Sequence, residues 1–322
     1  MRYPKILVIG GTGFIGQRLI ARLSGAHHRI VVPTRKLRHG RDLRLLPTVD
    51  IVETDIFNDA ALAPLIEAAD AVVNLVGVLH SSPAAEGQAY GAEFARAHVE
   101  LPQKIATLCA RQQKRLLHVS ALGSDPGRTQ LPSGYLRSKA AGEQAIADSG
   151  LTDYTILRPS VVFGPGDSFL NLFAKLQRFI PVMALARGGA QLQPVFVGDL
   201  VTAMDNVLDN PATFGKAYEV AGPEIFTLRE LVKLAGVYSG HPRMIVDLPD
   251  SIGALQALAL EYAPGPTLMS RDNFESLAKP NIATGPMAPE LGITPQSLTV
   301  IGPSYLMLDD SRFNTERSKA RR

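Results

Sequence analysis

Residues 5–23 read KILVIGGTGFIGQRLIARL, and this stretch decides the fold. Ile6 to Ile9 form a short apolar run rich in β-branched residues, which predicts a buried strand. Apolar residues recur at helical spacing from Phe14 to Leu23, so the glycines between the two runs lie on a turn from strand into helix. Such a turn lets backbone N–H groups approach a diphosphate at the positive end of the helix. We therefore expect nucleotide binding here, and a plain strand–turn–helix connection is the alternative.

The first 160 residues continue this alternation of strands and helices. Five more short strands are predicted, at 28–34, 49–53, 70–76, 116–120 and 154–158. Helices are predicted at about 88–113 and 134–149. Short strands alternating with helices predict an α/β fold, a Rossmann doubly wound parallel sheet of about seven strands. Right-handed crossovers then bring the loops that follow the strands to one edge, where ligands bind.

After Pro159 the pattern changes. We expect one more strand at 193–197, a helix capped by Asp199, a strand at 217–220, and a helix that opens with the capping box of Thr227 and Glu230. The region is interpreted as a small irregular C-terminal substrate lobe that closes over the sheet edge. The boundaries assigned are 1–163 with a returning segment of about 191–222 for the Rossmann domain, 164–190 and 223–311 for the lobe, and 312–322 for a basic, disordered tail.

The composition excludes several classes of protein. A hydrophobic content of 46% with 20% charged residues is typical of a globular domain, and no apolar stretch is long enough to span a membrane as a helix. The opening residues lead straight into the first strand, so we expect no signal peptide and a cytoplasmic protein. One cysteine and seven histidines without ligand spacing predict no disulfide and no metal site. The basic runs lack interleaved aromatics, which argues against nucleic-acid binding.

The end of the second predicted strand, VVPTRK, bears on which dinucleotide binds. An acidic residue at this point would accept hydrogen bonds from a free 2′-hydroxyl and repel a 2′-phosphate. Here Arg35 and Lys36 follow the strand, and no carboxylate comes before Asp42. A guanidinium can bind a 2′-phosphate with two hydrogen bonds. NADP(H) is therefore favoured, NAD(H) is the alternative cofactor, and a solvated basic loop is the other interpretation.

Two further loops are expected to line the adenosine half of the cofactor. Asp55 and Ile56 follow the third strand, and Asp55 is the candidate partner of the adenine amino group. Val76 and Gly77 follow the fourth strand and are expected under the adenine-side ribose.

Candidate catalytic residues lie in the stretch GYLRSK, residues 134–139. Tyr135 and Lys139 are four residues apart, so on a helix they share one face. A lysine ammonium beside a tyrosine favours the phenolate, which predicts a lowered pKa for Tyr135 and a role as general acid or base. The pair opens the helix after the fifth strand, at the expected binding edge. A surface Tyr–Lys pair is the alternative.

Several segments together resemble the extended or atypical short-chain dehydrogenases/reductases. They are GGTGFIG at 10–16, Asp55, NLVG at 74–77, HVSALG at 118–123, YLRSK at 135–139 and LRPSVVFGPGD at 157–167. HVSALGSD, QPVFVGDL, AGPEIFTLREL and SRDNFESL are most similar to an NAD-dependent epimerase/dehydratase-like branch. That branch contains the 39-kDa nucleotide-binding accessory subunit of respiratory complex I and its bacterial relatives.

This resemblance implies roles for individual residues. The implied cofactor contacts are Gly10, Thr12, Gly13, Phe14, Ile15 and Gly16 at the diphosphate, Lys139 at the nicotinamide ribose, and Pro159 and Val162 beside the nicotinamide. Tyr135 and Lys139 match the catalytic pair. Two positions depart from the family pattern. Ala121 and Leu122 occupy the place of the assisting Ser or Thr, with Ser120 one step earlier, and His98 replaces the helical Asn of the catalytic set.

Two functions remain open on this reasoning. The first is an NADP(H)-binding oxidoreductase in which Tyr135 moves the proton and Ser120 donates to the substrate oxygen; an epimerase or dehydratase would use the same hydride step transiently. The second, implied by the resemblance, is a non-catalytic accessory protein of a complex I or quinone-related assembly, peripheral at the cytoplasmic face of the inner membrane. The apolar segment 179–186, FIPVMALA, is assigned to the core, with a place lining the substrate side, or a membrane or partner contact, as the alternatives.

Overall fold

The computed structural model, which describes residues 2–127, 130–262 and 269–307, places the β-branched runs of the first 160 residues in one parallel sheet. The strands are β1 (Lys5–Ile9), β2 (Arg29–Thr34), β3 (Val49–Glu53), β4 (Ala71–Asn74), β5 (Arg115–Val119), β6 (Tyr154–Pro159), β7 (Val162–Phe163), β8 (Val182–Ala186), β9 (Gln191–Leu192), β10 (Val195–Phe196), β11 (Lys216–Val220), β12 (Phe226–Thr227) and β13 (Met244–Leu248).

The helices flank the strands in chain order. They are α1 (Phe14–Gly25), α2 (Asp59–Glu67), α3 (Ala92–Phe94), α4 (Leu101–Gln112), α5 (Gly134–Ala147), α6 (Leu170–Phe179), α7 (Val197–Leu208), α8 (Leu228–Tyr238), α9 (Asp250–Glu261), α10 (Arg271–Ser276) and α11 (Leu298–Leu306). A π-helical turn, Ala95–Glu100, joins α3 to α4. None of the helices among the described residues has the length and apolar character needed to cross a membrane.

The central sheet has seven strands in the order β3-β2-β1-β4-β5-β6-β11, and every neighbouring pair is parallel. The first six strands follow the order of a Rossmann sheet, with the reversal of direction between β1 and β4. This confirms the predicted fold class. The crevice at that reversal lies where β1 ends in the glycine-rich turn.

Both faces of the sheet are covered because side chains alternate along each strand. Ile6 and Val8 point into one core, which α1 and α7 close, whereas Leu7 and Ile9 point into the other, which α2 and α4 close. All four side chains are fully buried. Burying one such side chain contributes about 1.5–3 kcal/mol, so these alternating residues hold the glycine turn firmly at the sheet edge.

A third hydrophobic core joins α6, α8 and α11 in the C-terminal part of the chain. Within the segment 179–186, Met183 and Leu185 point into this core, but Phe179 is 80% exposed and Val182 is also exposed. The segment contains the last residue of α6, Phe179, and the whole of β8, in which Met183, Leu185 and Ala186 are buried. Its assignment to the core is therefore right only for those three residues.

Two predictions for the region after Pro159 were wrong in detail. The strand expected at 193–197 is the two-residue β10, which pairs with β7 outside the central sheet. Asp199 does not cap α7, because the helix begins earlier, at Val197. The Asp199 carboxylate instead accepts hydrogen bonds from the backbone and side-chain N–H groups of Gln296. The Thr227 capping box is confirmed, and the tail 312–322 lies outside the described residues.

Candidate functional site

The glycine-rich turn fits tightly against the loop that follows β4. Gly10 has a φ of +82°, and a Cβ on it would stand 3.0 Å from the carbonyl carbon of Leu75. A Cβ on Gly16 would stand 2.5 Å from the carbonyl oxygen of Gly11. Any larger residue at these two positions would force the turn and α1 apart. The glycines thus keep the backbone close enough to a bound molecule for direct N–H contacts.

The N-terminus of α1 faces outward from this turn. Gly13 is the N-cap, so no side chain satisfies the first N–H groups of the helix, and its first turn holds no acidic residue. Gln17 Nε2 donates to the carbonyl oxygen of Thr12 at 2.9 Å and braces the turn. Backbone N–H groups at Phe14 and Ile15 together with the helix dipole make this a site for a negatively charged group. The cradle fits the diphosphate of a dinucleotide.

The loops expected at the adenosine half lie at the same sheet edge. Arg35 and Lys36 follow β2 directly and are exposed. Asp55 is exposed after β3, and its Oδ1 accepts a hydrogen bond from the backbone N–H of Phe57 at 3.0 Å, which keeps Ile56 in a tight turn. After β4, the side chain of Asn74 accepts from the N–H of Val76 at 3.1 Å.

Helix α5 brings Tyr135 and Lys139 to this edge. Ser133 caps the helix by accepting from the N–H of Leu136 at 3.2 Å, so Tyr135 stands in the first turn. Lys139 is only 4% exposed, and its Nζ donates to the carbonyl oxygen of Val119 at 3.3 Å. A Cβ on Gly77 would stand 3.4 Å from that Nζ, so the loop after β4 lies directly against the ammonium.

The charge state of the pair differs from the expectation. Burial and the negative charge of Asp272 raise the pKa of Tyr135 to about 12. Burial lowers the pKa of Lys139 to about 8, although Glu143 opposes that effect. The prediction that Lys139 lowers the pKa of Tyr135 was wrong. Burial and the Asp272 carboxylate, which comes from the C-terminal part of the chain, raise that pKa instead.

His98 lies in the π-helical turn and is 1% exposed. Its Nε2 accepts from the backbone N–H of Val78 at 3.0 Å, and its Nδ1 lies 2.8 Å from Ser138 Oγ, which in turn donates to the carbonyl oxygen of Tyr135. The His98 ring also meets the Tyr135 ring edge-on, with centroids 5.4 Å apart. Burial, followed by the nearby charge of Lys139, lowers the pKa of His98 to about 2, so the imidazole is neutral.

Ser120 is placed in a buried network rather than on an open surface. Its Oγ lies 2.9 Å from Ser124 Oγ, which donates to Glu143 Oε1 at 2.7 Å. Glu143 is 2% exposed and forms two-point hydrogen bonds with Arg158. Because Ser124 has one proton and uses it on Glu143 or on its own turn, the Ser120 hydroxyl is the donor to Ser124.

Two polar residues near the site were missed because they come from the distant C-terminal part of the chain. Asp272 accepts hydrogen bonds from the first N–H groups of α5. Asn281 Nδ2 donates to the carbonyl oxygen of Leu122, and its Oδ1 accepts from Ser160 at 2.6 Å. Ser160 lies between Pro159 and Val162, the two residues expected at the nicotinamide. The only sequence pattern that pointed to either contact was the helix-capping pattern at 270–273.

The described part of the chain contains no group of three or more His, Cys, Asp or Glu side chains that could hold a metal ion. The candidate site combines a glycine cradle, a basic loop after β2, and the half-buried Tyr135 with the buried Lys139 and His98 near the start of α5.

Comparison with known proteins identifies the relatives of this chain. The model of the NAD dependent epimerase/dehydratase family matches residues 6–221. NADH dehydrogenase (ubiquinone) 1 alpha subcomplex subunit 9, mitochondrial, from Arabidopsis thaliana is 29% identical over 84% of this chain and 68% of its own length. The protein of the same name from Dictyostelium discoideum is 30% identical over 70% of this chain and 62% of its own length. The chain thus spans about two thirds of the length of these relatives.

Solved structures show the same architecture. The NADPH-dependent quinone oxidoreductase of Escherichia coli, complexed with NADPH, superimposes with a TM-score of 0.72 and 19% identity. The match covers 94% of this chain and 99% of that protein. At this identity the similarity establishes the fold.

Proposed function

The chain belongs to the NAD dependent epimerase/dehydratase family, and we propose that it is an NADP(H)-binding reductase of the short-chain dehydrogenase/reductase type. The observation that carries the proposal is the position of Tyr135 and Lys139. They stand one helical turn apart at the start of α5, and Lys139 Nζ lies against Gly77 at the sheet edge that holds the glycine cradle.

The proposed cofactor contacts follow from this arrangement. The N–H groups at the start of α1 bind the diphosphate, within the cradle that Gly10, Gly13 and Gly16 leave open. Arg35 and Lys36 bind the 2′-phosphate, which gives preference for NADP(H) over NAD(H). Asp55, Ile56, Val76 and Gly77 border the adenosine, and Pro159 and Val162 border the nicotinamide.

Lys139 is suited to the nicotinamide ribose. Its ammonium has three N–H donors, and the carbonyl oxygen of Val119 takes one of them. The ammonium lies against the loop of Gly77, where ribose hydroxyls are expected to accept its other hydrogen bonds. A ribose that fills this position also supplies hydrogen-bond partners for a buried cation, which is costly to leave unpaired.

In the proposed mechanism NADPH, held by the glycine cradle and Lys139, would supply the hydride that reduces a carbonyl carbon of the substrate. Tyr135 donates its phenolic proton to the carbonyl oxygen, and its high pKa keeps that proton in place until the substrate is present. Lys139 stabilises the phenolate that forms. Ser120 contributes a donor to the substrate oxygen only if its hydroxyl turns away from Ser124, so Tyr135 carries most of the proton transfer.

The test begins with native mass spectrometry of the freshly purified protein and titration with NADPH and NADH. Oxidation of NADPH is then followed with a panel of aldehydes, ketones and quinones. Tyr135→Phe is expected to abolish turnover while it leaves NADPH affinity within about twofold. Turnover by Tyr135→Phe at the wild-type rate would overturn the role of Tyr135. Failure of the wild type to bind either nucleotide would overturn the whole proposal.

The second candidate is a non-catalytic protein that keeps NADP(H) as a structural ligand in a respiratory complex I or quinone-related assembly, at the cytoplasmic face of the inner membrane. Two observations favour it. The curated relatives are named as subunits of an NADH–ubiquinone dehydrogenase, and the Ser120 hydroxyl is occupied within the protein.

Cell fractionation and complementation distinguish the two candidates. For an accessory protein, Tyr135→Phe supports wild-type growth and assembly, whereas Gly16→Ala, which disturbs the cradle, does not. The protein is then recovered with the membrane fraction and with NADP(H) that exchanges slowly. For an enzyme, both variants fail in the cell.

A further inference from the structure

A short segment of the C-terminal part of the chain, residues 281–284, reaches the carboxyl ends of the last sheet strands; we call it the crossing segment. The N–H of Asn281 donates to the carbonyl oxygen of Gln191 at 2.8 Å, and the carbonyl oxygen of Asn281 accepts from the N–H of Gln193 at 3.0 Å. Asn281 thus forms a parallel bridge with Leu192 of β9. The backbone of Asn281 is therefore fixed on both sides.

The other end of the crossing segment is fixed to the central sheet. The backbone N–H and the Oγ1 of Thr284 both donate to Glu219 Oε2, at 2.7 and 2.8 Å. Between the two ends, the N–H of Ala283 donates to Gln193 Oε1 at 2.8 Å. Glu219 belongs to β11, which is the neighbour of β6 in the sheet. These bonds hold the crossing segment at a constant distance from the sheet edge.

The side chain of Asn281 joins the loops that follow β5 and β6. Its Nδ2 donates to the carbonyl oxygen of Leu122 at 3.1 Å, and its Oδ1 accepts from Ser160 Oγ at 2.6 Å. The Asn281 carbonyl oxygen lies farther from that hydroxyl, at 3.3 Å. The two loops also contact each other, because the N–H of Leu122 donates to the carbonyl oxygen of Pro159 at 2.8 Å. An amide carries a donor and an acceptor, so one side chain can bind a carbonyl on one loop and a hydroxyl on the other.

These loops carry the residues proposed at the reacting end of the cofactor. Pro159 and Val162, which are proposed to border the nicotinamide, lie on either side of Ser160 in the sequence. Ser120, the candidate donor to the substrate oxygen, comes two residues before Leu122. The proposed diphosphate and adenosine contacts come instead from the loops after β1, β2, β3 and β4. A displacement of about 1 Å at a reacting centre can cost a hundredfold in rate, so the hold on these two loops matters.

We propose that Asn281 is a positioning residue for the nicotinamide half of the cofactor. It holds the loops after β5 and β6 together and so sets where the nicotinamide ring lies relative to Ser120 and Tyr135. This inference rests on the proposed function, because it takes the cofactor arrangement given there. The N-terminal part of the chain binds the diphosphate and adenosine, and a residue from the C-terminal part orients the end that reacts.

The experiment compares NADPH with 2′,5′-ADP, which has the phosphorylated adenosine but no nicotinamide. Isothermal titration calorimetry measures both affinities in the wild type and in Asn281→Ala. We expect Asn281→Ala to weaken NADPH binding by about fivefold and to leave 2′,5′-ADP binding within about twofold, as for the loss of ordinary hydrogen bonds at one end of the ligand. A role in general stability alone would change both affinities alike. If the wild type prefers NADH, the same comparison uses NADH and ADP-ribose.

Thr284→Ala is the matched control, since it removes a hydrogen bond at the other end of the same crossing segment. It is expected to leave both affinities within about twofold. Equal losses for NADPH and 2′,5′-ADP in Asn281→Ala, no loss for either, or the same selective loss in Thr284→Ala would overturn the proposal. Ser160→Ala, which removes one of the two side-chain contacts from the loop side, replaces Asn281→Ala if that variant does not fold.

The positioning role and the proposed function can fail separately. A selective loss of NADPH affinity in Asn281→Ala, together with no reduction of any carbonyl by the wild type, would support the positioning role and refute the reductase. Carbonyl reduction together with unchanged NADPH affinity in Asn281→Ala would support the reductase and refute the positioning role. A wild type that binds neither nucleotide would refute both.

Discussion

The Nε2 of His98 accepts a hydrogen bond from the backbone N–H of Val78 at 3.0 Å, and this contact determines which ring nitrogen carries the proton. The proton is on Nδ1, directed at Ser138 Oγ. Protonation of both nitrogens would turn an N–H of the ring against the N–H of Val78. The backbone beside Gly77, where a ribose is expected, is therefore ordered by an imidazole that must stay neutral.

Acid is expected to destabilise the protein through buried histidines. The pKa of His98 is lowered to about 2, and burial places that of His118 well below 6.5 as well. In the unfolded chain both histidines have pKa values near 6.5. Below that pH they therefore bind protons in the unfolded chain but not in the folded protein. Stability is complete above about pH 7 and falls as the pH drops, by roughly 1.4 kcal/mol per unit for each histidine.

Urea unfolding at pH 8, 7, 6 and 5 checks this expectation. In His98→Asn the unfolding free energy should depend less steeply on pH below 6.5. The slope should be smaller by roughly 1.4 kcal/mol per pH unit, which corresponds to one proton. An unchanged slope would show that His98 is protonated in the folded protein or titrates with little shift.

Gly16→Ala is expected to weaken NADPH and NADH binding together, by at least about tenfold. The new Cβ would stand 2.5 Å from the Gly11 carbonyl oxygen, so α1 must move away from the diphosphate cradle. Gly25→Ala, at the other end of the same helix, meets no atom within 4 Å and is the control. Isothermal titration calorimetry measures both variants. Equal affinity of Gly16→Ala and wild type would place the diphosphate elsewhere.

Arg35→Ala is expected to weaken NADPH binding by roughly 10- to 100-fold and NADH binding by less than about threefold, because only NADPH carries the 2′-phosphate. Arg38→Ala removes an exposed cation from the same basic run and serves as the control. Fluorescence titration with each nucleotide gives the comparison. Equal losses of NADPH and NADH affinity would argue against NADP(H) preference.

Glu143→Gln is expected to lower the free energy of unfolding by about 3 kcal/mol, because it leaves the Arg158 guanidinium without its buried counter-ion. The control is Asp205→Asn, which breaks the more exposed pair with Arg22 and should cost less than about 1 kcal/mol. Chemical denaturation compares the two. A loss in Glu143→Gln as small as that of the control would mean that the pair contributes no net stability.

The central sheet could be predicted from the sequence because its strands are apolar runs that end at turn residues. Val49 to Glu53 was predicted to the residue, and the other predicted sheet strands to within two residues at each end. Strand β13 was missed, since it follows Pro242 and exposes Met244 and Val246, so its burial pattern does not mark a strand. Local pattern is informative where both faces of a strand are buried and loses its value in the smaller lobe.

The site was only partly predictable for a related reason. Spacing along one helix brought Tyr135 and Lys139 together, but it carried no information on burial or on the carboxylate of Asp272. The direction of the Tyr135 pKa shift was therefore wrong. The hydrogen bond from Ser120 to Ser124 depends on a turn that strand pattern does not describe.

The cap of α5 also has a consequence for the order in which the protein matures on the ribosome. Asp272 follows Tyr135 by 137 residues, which corresponds to roughly 7 to 27 seconds of synthesis at ordinary translation rates. The phosphate cradle and the sheet strands β1 to β6 are all made before that carboxylate exists. A nascent chain can thus acquire its nucleotide-binding half early, while the helix that carries Tyr135 is completed only when the C-terminal part arrives.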